Sequence, residues 1–285
     1  MRFIRIGGII GDWTHYKKEG VLVASPQKQK TIVNQDVLND LGRFLQKTGW
    51  QVMWTLNLGT GTKEEAVEAA VAVQKALGDG LHSFEIGNEV RLLKRFKDYA
   101  DYHKTYLEYK AAIRAVMPNA VFSGADIASN GDIEWSLNFA RDESKDMGLL
   151  IHHYYRGGAN SKLATVETLL GPHPISDERF GKLRDVSKEQ NVQFRINEMN
   201  SFTGGGKEGV SDSFVASLWT LDNMFRIASY GGVGVNMQTD VNQLGFISYY
   251  TPIFRDSKNP IKRTCCVLWH VGIFVSRKRR INSAR

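Results

Sequence analysis

The chain has 285 residues, of which 42% are hydrophobic and 24% charged, so its composition excludes the disordered and fibrous classes. No apolar run approaches the roughly 20 residues that a membrane span needs, and we expect no membrane span. The two cysteines are adjacent, so they can neither form a disulfide framework nor supply four zinc ligands.

The formal net charge of +7 comes from the end of the chain. Residues 256–285 hold eight Lys or Arg and a single acid, Asp256, which accounts for the whole excess. Because the preceding residues are neutral overall, they lack the electrostatic footprint of a nucleic-acid binder, and we expect no nucleic-acid partner. Such a cluster is more often a solvated tail, and nucleic-acid binding through it is kept as a separate hypothesis.

Short apolar runs alternate with amphipathic patterns along most of the chain. The predicted strands are Arg2–Ile6, Val52–Leu58, Ser83–Ile86, Val121–Ser123, Leu149–Tyr155, Val192–Ile196 and Val233–Met237. The predicted helices are Gln35–Lys47, Lys63–Leu77, Lys97–Met117, Ile133–Asp146, Asp177–Glu189 and Ser211–Ser229. Asn34 or Gln35 can cap the first helix, Ser176 or Ser211 later ones, and Gly49 stands where the first helix is expected to stop.

This alternation predicts consecutive βα units and a parallel α/β sheet. Polar and aromatic residues follow strand after strand, at Asp12, Asn57, Asn88, Glu89, Asp126, His152 to Tyr155, Glu198 and Asn236. A (β/α)8 TIM barrel focuses the carboxyl ends of its strands on one pocket, whereas an open doubly wound sheet spreads them along a crevice. No Gly-x-Gly-x-x-Gly follows a strand. We therefore favour the TIM barrel.

The barrel is expected to be incomplete, because seven strands are found and Met1 opens directly on the first of them. We expect residues 1–255 to form a partial catalytic barrel, with the first βα unit missing. Residues 256–285 are expected to be a basic tail outside the native fold, since charge and cysteine usage change together at Asp256–Arg263. An altered reading frame or a truncation explains that change, and an evolved tail is the alternative.

Two strand ends carry the same dipeptide, Asn88-Glu89 and Asn197-Glu198. A carboxyl group among apolar walls can stay protonated and release a leaving oxygen, while a second carboxylate attacks the sugar carbon. The neighbouring Asn can hold a sugar hydroxyl. The alternative is that each Glu pairs with an Arg inside the barrel, and the repeated dipeptide favours catalysis over that pairing.

The residues around both dipeptides resemble known hydrolases. The run Phe84–Glu89 is similar to the acid/base strand of clan A glycoside hydrolases, and Ile196–Asp212 resembles the nucleophile segment of glycoside hydrolase family 79. That family holds β-glucuronidases and heparanase-like endoglycosidases. Further similarity lies in Arg5–Gly8, Leu58–Gly61, His152–Tyr155 and Ser217–Asp222, so the resemblance covers about Arg2 to Phe254.

The resemblance implies a retaining mechanism with Glu89 as general acid/base and Glu198 as nucleophile. It also implies that Asn88 binds the 2-hydroxyl of the sugar and that Tyr154 hydrogen-bonds the nucleophile. The implied substrate is a carbohydrate, and no cofactor is implied. Members also carry a β-sandwich beside the barrel, and nothing after Phe254 resembles one.

Three positions depart from the family pattern. Val90 stands where the family usually has Pro, and Ile9 stands where it usually has Asn. Thr203 matches a Tyr with which bacterial β-glucuronidases of the family grip the uronate carboxylate. A threonine hydroxyl reaches less far, so we expect Gly204 and Gly205 to help bind the carboxylate through backbone N–H groups, with Lys207 nearby.

Other candidate residues have structural alternatives. Asp12 is expected to bind substrate, and Asp126 and Asn57 are expected to line the pocket rim, although Asp126 and Asn57 can equally be cap or turn residues. Glu85 is expected to pair with Arg5 rather than to catalyse. His152 and the next residue point to opposite sides of a strand, and we expect no metal site. Trp219 is expected to pack its helix against the sheet.

The leading hypothesis is a retaining hydrolase of β-glucuronides or related uronic-acid glycosides. Its alternative is a carbohydrate-binding pseudoenzyme, or an inactive fragment of such a hydrolase, which would bind sugar without turnover. The cellular compartment stays open: members of the family are often exported, but Met1 leads into a strand and not into a signal peptide.

Overall fold

The structure is a computed structural model that describes residues 2–20, 31–128, 133–239, 241–242, 248–250 and 253–254. The predicted tail, residues 256–285, lies outside the described residues. The chain divides into two compact units, the first made of Met1–His153 with Lys182–Asn197 and the second of Tyr154–Gly181 with Glu198–Arg285. In the described ranges, every helix is too short or too polar to reach across a lipid bilayer.

Strands and helices alternate along the described residues. The strands are β1 Phe3–Ile6, β2 Thr14–Tyr16, β3 Thr31–Val33, β4 Gln51–Leu56, β5 Leu81–Ile86, β6 Gly124–Ile127, β7 Leu150–Gly158, β8 Phe194–Thr203, β9 Val235–Met237, β10 Val241–Asn242 and β11 Ile253–Phe254. The helices are α1 Gln35–Thr48, α2 Lys63–Leu77, α3 Tyr99–Val116, α4 Ile133–Glu143, α5 Val166–Leu170, α6 Pro174–Gln190 and α7 Phe214–Ser229.

The first unit is built on parallel strands. The order β1-β4-β5 forms one sheet, in which Phe3 pairs with Gln51 and both strand pairs are parallel. A bridge from Phe84 to Phe122 leads on to β6, which pairs in parallel with the start of β7. The predicted parallel α/β architecture is therefore confirmed. The carboxyl ends of β1, β4, β5 and β6 lie at the same edge because all pairs are parallel.

Helices α1 and α2 cover this sheet as their sequence patterns predict. Asn34 caps α1 by accepting the Val37 N–H, and Gly49 ends it in the left-handed region at φ +66°. Buried Ala66, Ala70, Val73 and Leu77 form the inner face of α2 at helical spacing. They belong to one hydrophobic core with Phe84, Phe122 and Tyr106, which fixes the sheet in place.

The second unit holds the ends of β7 and β8 with β9 and α7. The Ala159 N–H donates to the Thr203 carbonyl, and the Gln238 N–H donates to the Met199 carbonyl. Trp219 of α7 stacks on Tyr154 of β7 with ring centroids 6.0 Å apart. The prediction that Trp219 packs its helix against a strand is therefore confirmed.

Most predicted boundaries shift by one to three residues, and three differences have a clear physical reason. The strand predicted at Val121–Ser123 begins at Gly124, because Phe122 joins its neighbour through a single bridge. The strand predicted to end at Ile196 runs to Thr203, since its polar residues are buried and stay in the ladder. Helix α7 begins three residues after Ser211, whose hydroxyl is engaged in the preceding turn; Ser213 is the N-cap residue.

Candidate active site

Several buried polar side chains of the first unit follow the carboxyl ends of its strands. Asn88 and Glu89 come one residue after the end of β5, and the Glu89 N–H donates to the Asp126 carbonyl at 2.9 Å. Glu89 at φ +43° and Asp126 at φ +59° both lie in the left-handed region. Such a conformation costs about 1–3 kcal/mol per residue and persists only where the surroundings fix it.

Arg5 of β1 connects the acidic and amide groups of this edge. Its Nε donates to Glu85 Oε2 at 2.8 Å, and its Nη2 donates both to Asn88 Oδ1 at 2.8 Å and to Asp126 Oδ2. Thr55 donates a further hydrogen bond to Glu85 Oε2 at 2.8 Å. The predicted ion pair of Glu85 with Arg5 is confirmed, and Glu85 is fully buried.

Burial raises the pKa of both carboxyl groups that Arg5 contacts, but the net shifts have opposite directions. For Asp126, burial favours the neutral acid, but Arg5 and His153 outweigh it and lower the pKa to about 2. For Glu85, burial is the larger effect, and it raises the pKa although Arg5 opposes the change. Asp126 is therefore ionised near neutral pH and serves as a fixed acceptor.

His153 lies between two carboxylates of the first unit. Its Nδ1 is 2.8 Å from Glu89 Oε1 and its Nε2 is 2.7 Å from Asp126 Oδ1. Asn197 of β8 donates to the same Asp126 oxygen at 2.7 Å. His152 points the other way, with its Nδ1 3.0 Å from Ser136 Oγ, as the alternation of a strand predicts. Because both nitrogens of His153 face carboxylates, a metal ion could bind it only by replacing one of these hydrogen bonds.

Asp12, which the sequence assigned to substrate binding, bonds to backbone groups of its own unit. Its side chain is 1% exposed, and its two oxygens accept the backbone N–H groups of Leu58 and Asn88, each at 3.1 Å. Burial, the largest effect, raises the pKa of Asp12 to about 7 against these hydrogen bonds. Asp12 thus fixes the backbone of Asn88 and does not point into open space.

Asn57 takes the turn role that the sequence left open beside pocket lining. Its Oδ1 accepts the N–H groups of Thr60 and Gly61 at 2.9 and 3.0 Å, and its Nδ2 donates to the Thr14 carbonyl at 3.1 Å. Its Oδ1 thus closes the loop after β4, and its Nδ2 ties that loop to β2. This is the local turn that asparagine side chains favour.

In the second unit, Tyr155 donates its hydroxyl to Glu198 Oε1 at 2.8 Å, and Glu198 is 8% exposed. The family resemblance implied this hydrogen bond for Tyr154, which is wrong. The Tyr154 hydroxyl lies 3.0 Å from His173 Nδ1, and its ring packs on Trp219. The reason is the alternation of side chains along β7, which sends neighbouring tyrosines to opposite faces.

The loop after β8 is shaped by glycines and by Ser211. Gly204, Gly205 and Gly206 all have positive φ, at 74°, 89° and 83°. Ser211 Oγ accepts the Lys207 N–H at 2.8 Å and the Ser201 hydroxyl at 2.7 Å, which closes the loop. At Gly206 a Cβ atom would come within 2.8 Å of Ser211, so only glycine fits.

The predicted loop residues differ in accessibility. Thr203 is half-buried at the end of β8, Gly204 and Lys207 are exposed, and Gly205 is buried. The Gly205 carbonyl accepts the Tyr249 N–H at 2.6 Å, which ties the loop to a later segment of the chain. Binding of a carboxylate by these residues stays a prediction.

Sequence reasoning missed the roles of His153 and Tyr155, and it placed Asp126 at the pocket rim or in a cap or turn without its bonds to Arg5 and His153. The alternation of β7 was applied to the two histidines, and the same rule separates the two tyrosines that follow. The interactions of Asp126 depend on Arg5, 121 residues earlier in the chain, so no local pattern indicates them.

The chain matches a family model described as glycosyl hydrolase family 79, N-terminal domain, over residues 4–225. A curated β-glucuronidase of Aspergillus niger is 25% identical over 261 residues, which cover 77% of this chain and 47% of that protein. The chain therefore spans about half the length of this curated relative.

Solved structures share the fold at low sequence identity. A 4-O-α-L-rhamnosyl-β-D-glucuronidase from Fusarium oxysporum 12S is 18% identical with a TM-score of 0.72, covering 89% of this chain and 57% of that chain. A monomeric β-xylosidase from Caulobacter crescentus CB15 is 14% identical with a TM-score of 0.61, covering 94% and 60%. At these identities the likeness concerns the fold.

Proposed function

Because this chain belongs to glycosyl hydrolase family 79, we propose that it hydrolyses β-glucuronides or related uronic-acid glycosides with retention of configuration. The observation that carries the proposal is that both Asn-Glu glutamates are held by a hydrogen bond to an aromatic side chain, Glu89 to His153 and Glu198 to Tyr155. We also propose that the parallel strands belong to a (β/α)8 barrel, which places strand ends around one pocket.

In the proposed mechanism Glu198 is the nucleophile. The Tyr155 hydroxyl fixes one of its carboxylate oxygens, and the carboxylate attacks the anomeric carbon. The bond from that carbon to the leaving oxygen breaks, and Glu89 gives its proton to the leaving oxygen. Water then attacks the glycosyl-enzyme, its proton returns to Glu89, and the bond to Glu198 breaks. Two inversions retain the configuration.

Asn88 is proposed to bind the sugar 2-hydroxyl. Arg5 donates to its Oδ1 at 2.8 Å, and Asp12 holds its backbone N–H, so the side chain has a fixed direction. With Oδ1 taken by Arg5, the group offered to a hydroxyl is the Nδ2–H donor. A hydrogen bond that strengthens in the transition state would raise kcat more than it lowers KM.

Thr203, Gly204, Gly205 and Lys207 are proposed to bind the uronate carboxylate. The supporting features are the exposed ammonium of Lys207 and the turn at the glycines, whose N–H groups can converge on an anion. Thr203→Tyr places a hydroxyl farther from the backbone, so we expect a higher ratio of kcat/KM for glucuronide over glucoside. A flat or lower ratio would mean that Thr203 does not bind the carboxylate.

The roles of the two glutamates are tested with aryl β-glucuronides whose leaving groups differ in acidity. Glu198→Gln should abolish turnover with every leaving group, because no nucleophile is left. Glu89→Gln should abolish it with poor leaving groups and be partly rescued with activated ones, since these need no proton. Glu134→Gln on α4 is the control, and it should keep wild-type rates. Equal loss with all leaving groups in Glu89→Gln would refute the acid/base assignment.

A further inference from the structure

We propose that residues 90–97, the cationic segment, bind a negatively charged leaving group, so that the preferred substrate is an acidic saccharide. The segment follows Glu89 in the first unit, and it holds four Lys or Arg and no carboxylate. Because residues 1–255 are neutral overall, this run is a local excess of positive charge. The inference rests on the proposed function, in which Glu89 gives its proton to the leaving oxygen.

The backbone of the cationic segment is fixed on the core of the first unit. Glu89 at φ +43° and Lys94 at φ +55° lie in the left-handed region at the two ends of a short 3-10 turn, Val90–Leu93. The Leu92 N–H donates to the Glu89 carbonyl at 2.7 Å, and Val90 is fully buried in the hydrophobic core. The cations of the segment therefore stand on a backbone with a defined position relative to Glu89.

Two arginines of the segment contact the elements on either side of the strand that leads to Glu89. Arg95 Nη1 donates to the Leu58 carbonyl at 2.7 Å, just after the end of β4. The guanidinium carbon of Arg91 lies 5.5 Å from the centre of the Trp135 ring, on the helix that follows β6. Strands β4 and β6 are the neighbours of β5. Both guanidinium groups therefore lie towards the carboxyl edge of the sheet.

The charge of the segment is open to a ligand. Lys94, Arg95 and Lys97 are exposed, and none of the three forms an ion pair within the described ranges. The next two acids, Asp98 and Asp101, accept the backbone N–H groups of Asp101 and Lys97 at 2.9 and 3.1 Å. With these two acids included, residues 90–101 still carry an excess of two positive charges. A carboxylate or sulfate can accept charge-assisted hydrogen bonds from such groups.

The position of the segment assigns it to the leaving group. A general acid must lie within hydrogen-bond reach of the oxygen that it protonates, so the leaving group begins beside Glu89. The residues that come directly after Glu89 are therefore the ones that can flank it. Arg95 adds a fixed direction, since one of its nitrogens is tied to the Leu58 carbonyl. A saccharide with a carboxylate or a sulfate near the cleaved bond fits this arrangement.

Three disaccharides test the proposal, with β-glucuronic acid linked to glucose, to glucuronic acid or to glucose 6-sulfate. The wild type should show a higher kcat/KM for the two anionic leaving sugars than for glucose. This ratio should fall about fivefold in Arg95→Gln, the factor expected for loss of a well-formed exposed ion pair. Arg95→Lys should keep most of the ratio because it keeps the charge. The control Lys75→Gln removes an exposed cation from the last turn of α2 and should keep the wild-type ratio.

A second variant covers the case in which Arg95→Gln does not fold. Lys94→Gln removes a charge without touching the hydrogen bond to Leu58, and it should also lower the ratio. The ratio should shrink near 1 M salt, where the Debye length is about 3 Å. A preference for one anionic sugar identifies the carboxylate or the sulfate as the ligand group. Equal kcat/KM for all three disaccharides, or a ratio unchanged in both variants, would overturn the proposal. So would a loss in Arg95→Gln that affects all three alike, since that is a purely structural role.

A binding measurement separates this proposal from the proposed function. In the ¹⁵N-labelled full chain, the Nε–H signal of Arg95 should shift on addition of glucose 6-sulfate and stay in place with glucose. An equal shift with inorganic sulfate at the same concentration would mean that the segment attracts any anion, and it would overturn the proposal. If the shift appears but no β-glucuronide is hydrolysed, the proposed function fails and the binding segment stands. Hydrolysis with neither the shift nor a charge preference leaves the function and refutes the segment's role.

Discussion

Replacing Arg5 by methionine removes the cation between two buried carboxyl groups. The side chains of Glu85 and Asp126 are 0% and 1% exposed, and both are bonded to the guanidinium. Removing one partner of a buried ion pair costs about 3–5 kcal/mol, because the remaining charge has neither water nor a counter-ion. We expect Arg5→Met to lower the free energy of unfolding by that amount at pH 7.

The loss of stability in Arg5→Met should also depend on pH. Arg5 and His153 lower the pKa of Asp126 from 3.8 to about 2 against the effect of burial, so ionised Asp126 stabilises the native wild type. That contribution, about 2 kcal/mol, is present above pH 4 and is lost as the pH falls towards 2. In Arg5→Met the buried carboxyl groups prefer to be neutral, so acid should stabilise the variant relative to the wild type.

Equilibrium urea unfolding at pH 7 and pH 4, followed by tryptophan fluorescence, measures both effects. Arg5→Lys should lose less stability than Arg5→Met because it keeps the positive charge. It should still be less stable than the wild type, since an ammonium group lacks the planar set of donors of a guanidinium. Arg43→Met is the control, because Arg43 pairs with Asp40 on the exposed face of α1 and should cost at most about 1 kcal/mol. A loss below 1 kcal/mol in Arg5→Met, or a deficit that grows at pH 4, would refute the reasoning.

Three further predictions concern other parts of the structure. Tyr155→Phe should lower kcat about 10- to 100-fold by removing a hydrogen bond to a charged acceptor, whereas Tyr154→Phe should stay within about 2-fold; equal effects would contradict the assignment. Gly206→Ala should disrupt its loop and lower the melting temperature, while Gly204→Ala, where a Cβ meets nothing within 4 Å, should cost much less. The pKa of Asp12, raised by burial to about 7, predicts stability present below pH 4 and lost as the pH rises to 7. Asp12→Asn should flatten that decline in urea unfolding, and an unchanged slope would count against it.

The fold was predictable wherever packing follows local periodicity. Helix α2 has the predicted bounds, Lys63–Leu77, because its alanines and valines repeat on one face. Strand β8 was predicted too short because burial of Asn197, Glu198 and Ser201 depends on partners elsewhere in the chain. Polar residues in a buried ladder look like loop residues until those partners are known.

The site was predictable where residues close together in the sequence indicate the chemistry. The Asn88-Glu89 dipeptide and the pairing of Glu85 with Arg5 were both found from the sequence. Asp12 and Asn57 were assigned to the pocket, yet the side-chain oxygens of both accept hydrogen bonds from backbone N–H groups. For Asp12 these N–H groups belong to residues 46 and 76 positions later in the chain. Tertiary contacts of this kind cannot be predicted from the local sequence pattern.

The anomer released first from an aryl β-glucuronide tests the central claim most directly. Proton magnetic resonance during the first minutes of hydrolysis by the full chain distinguishes the two anomers before they interconvert. We expect β-glucuronic acid to appear first, and we expect no reaction with Glu198→Gln. Initial release of the α anomer, or no hydrolysis of β-glucuronides by the wild type, would contradict it.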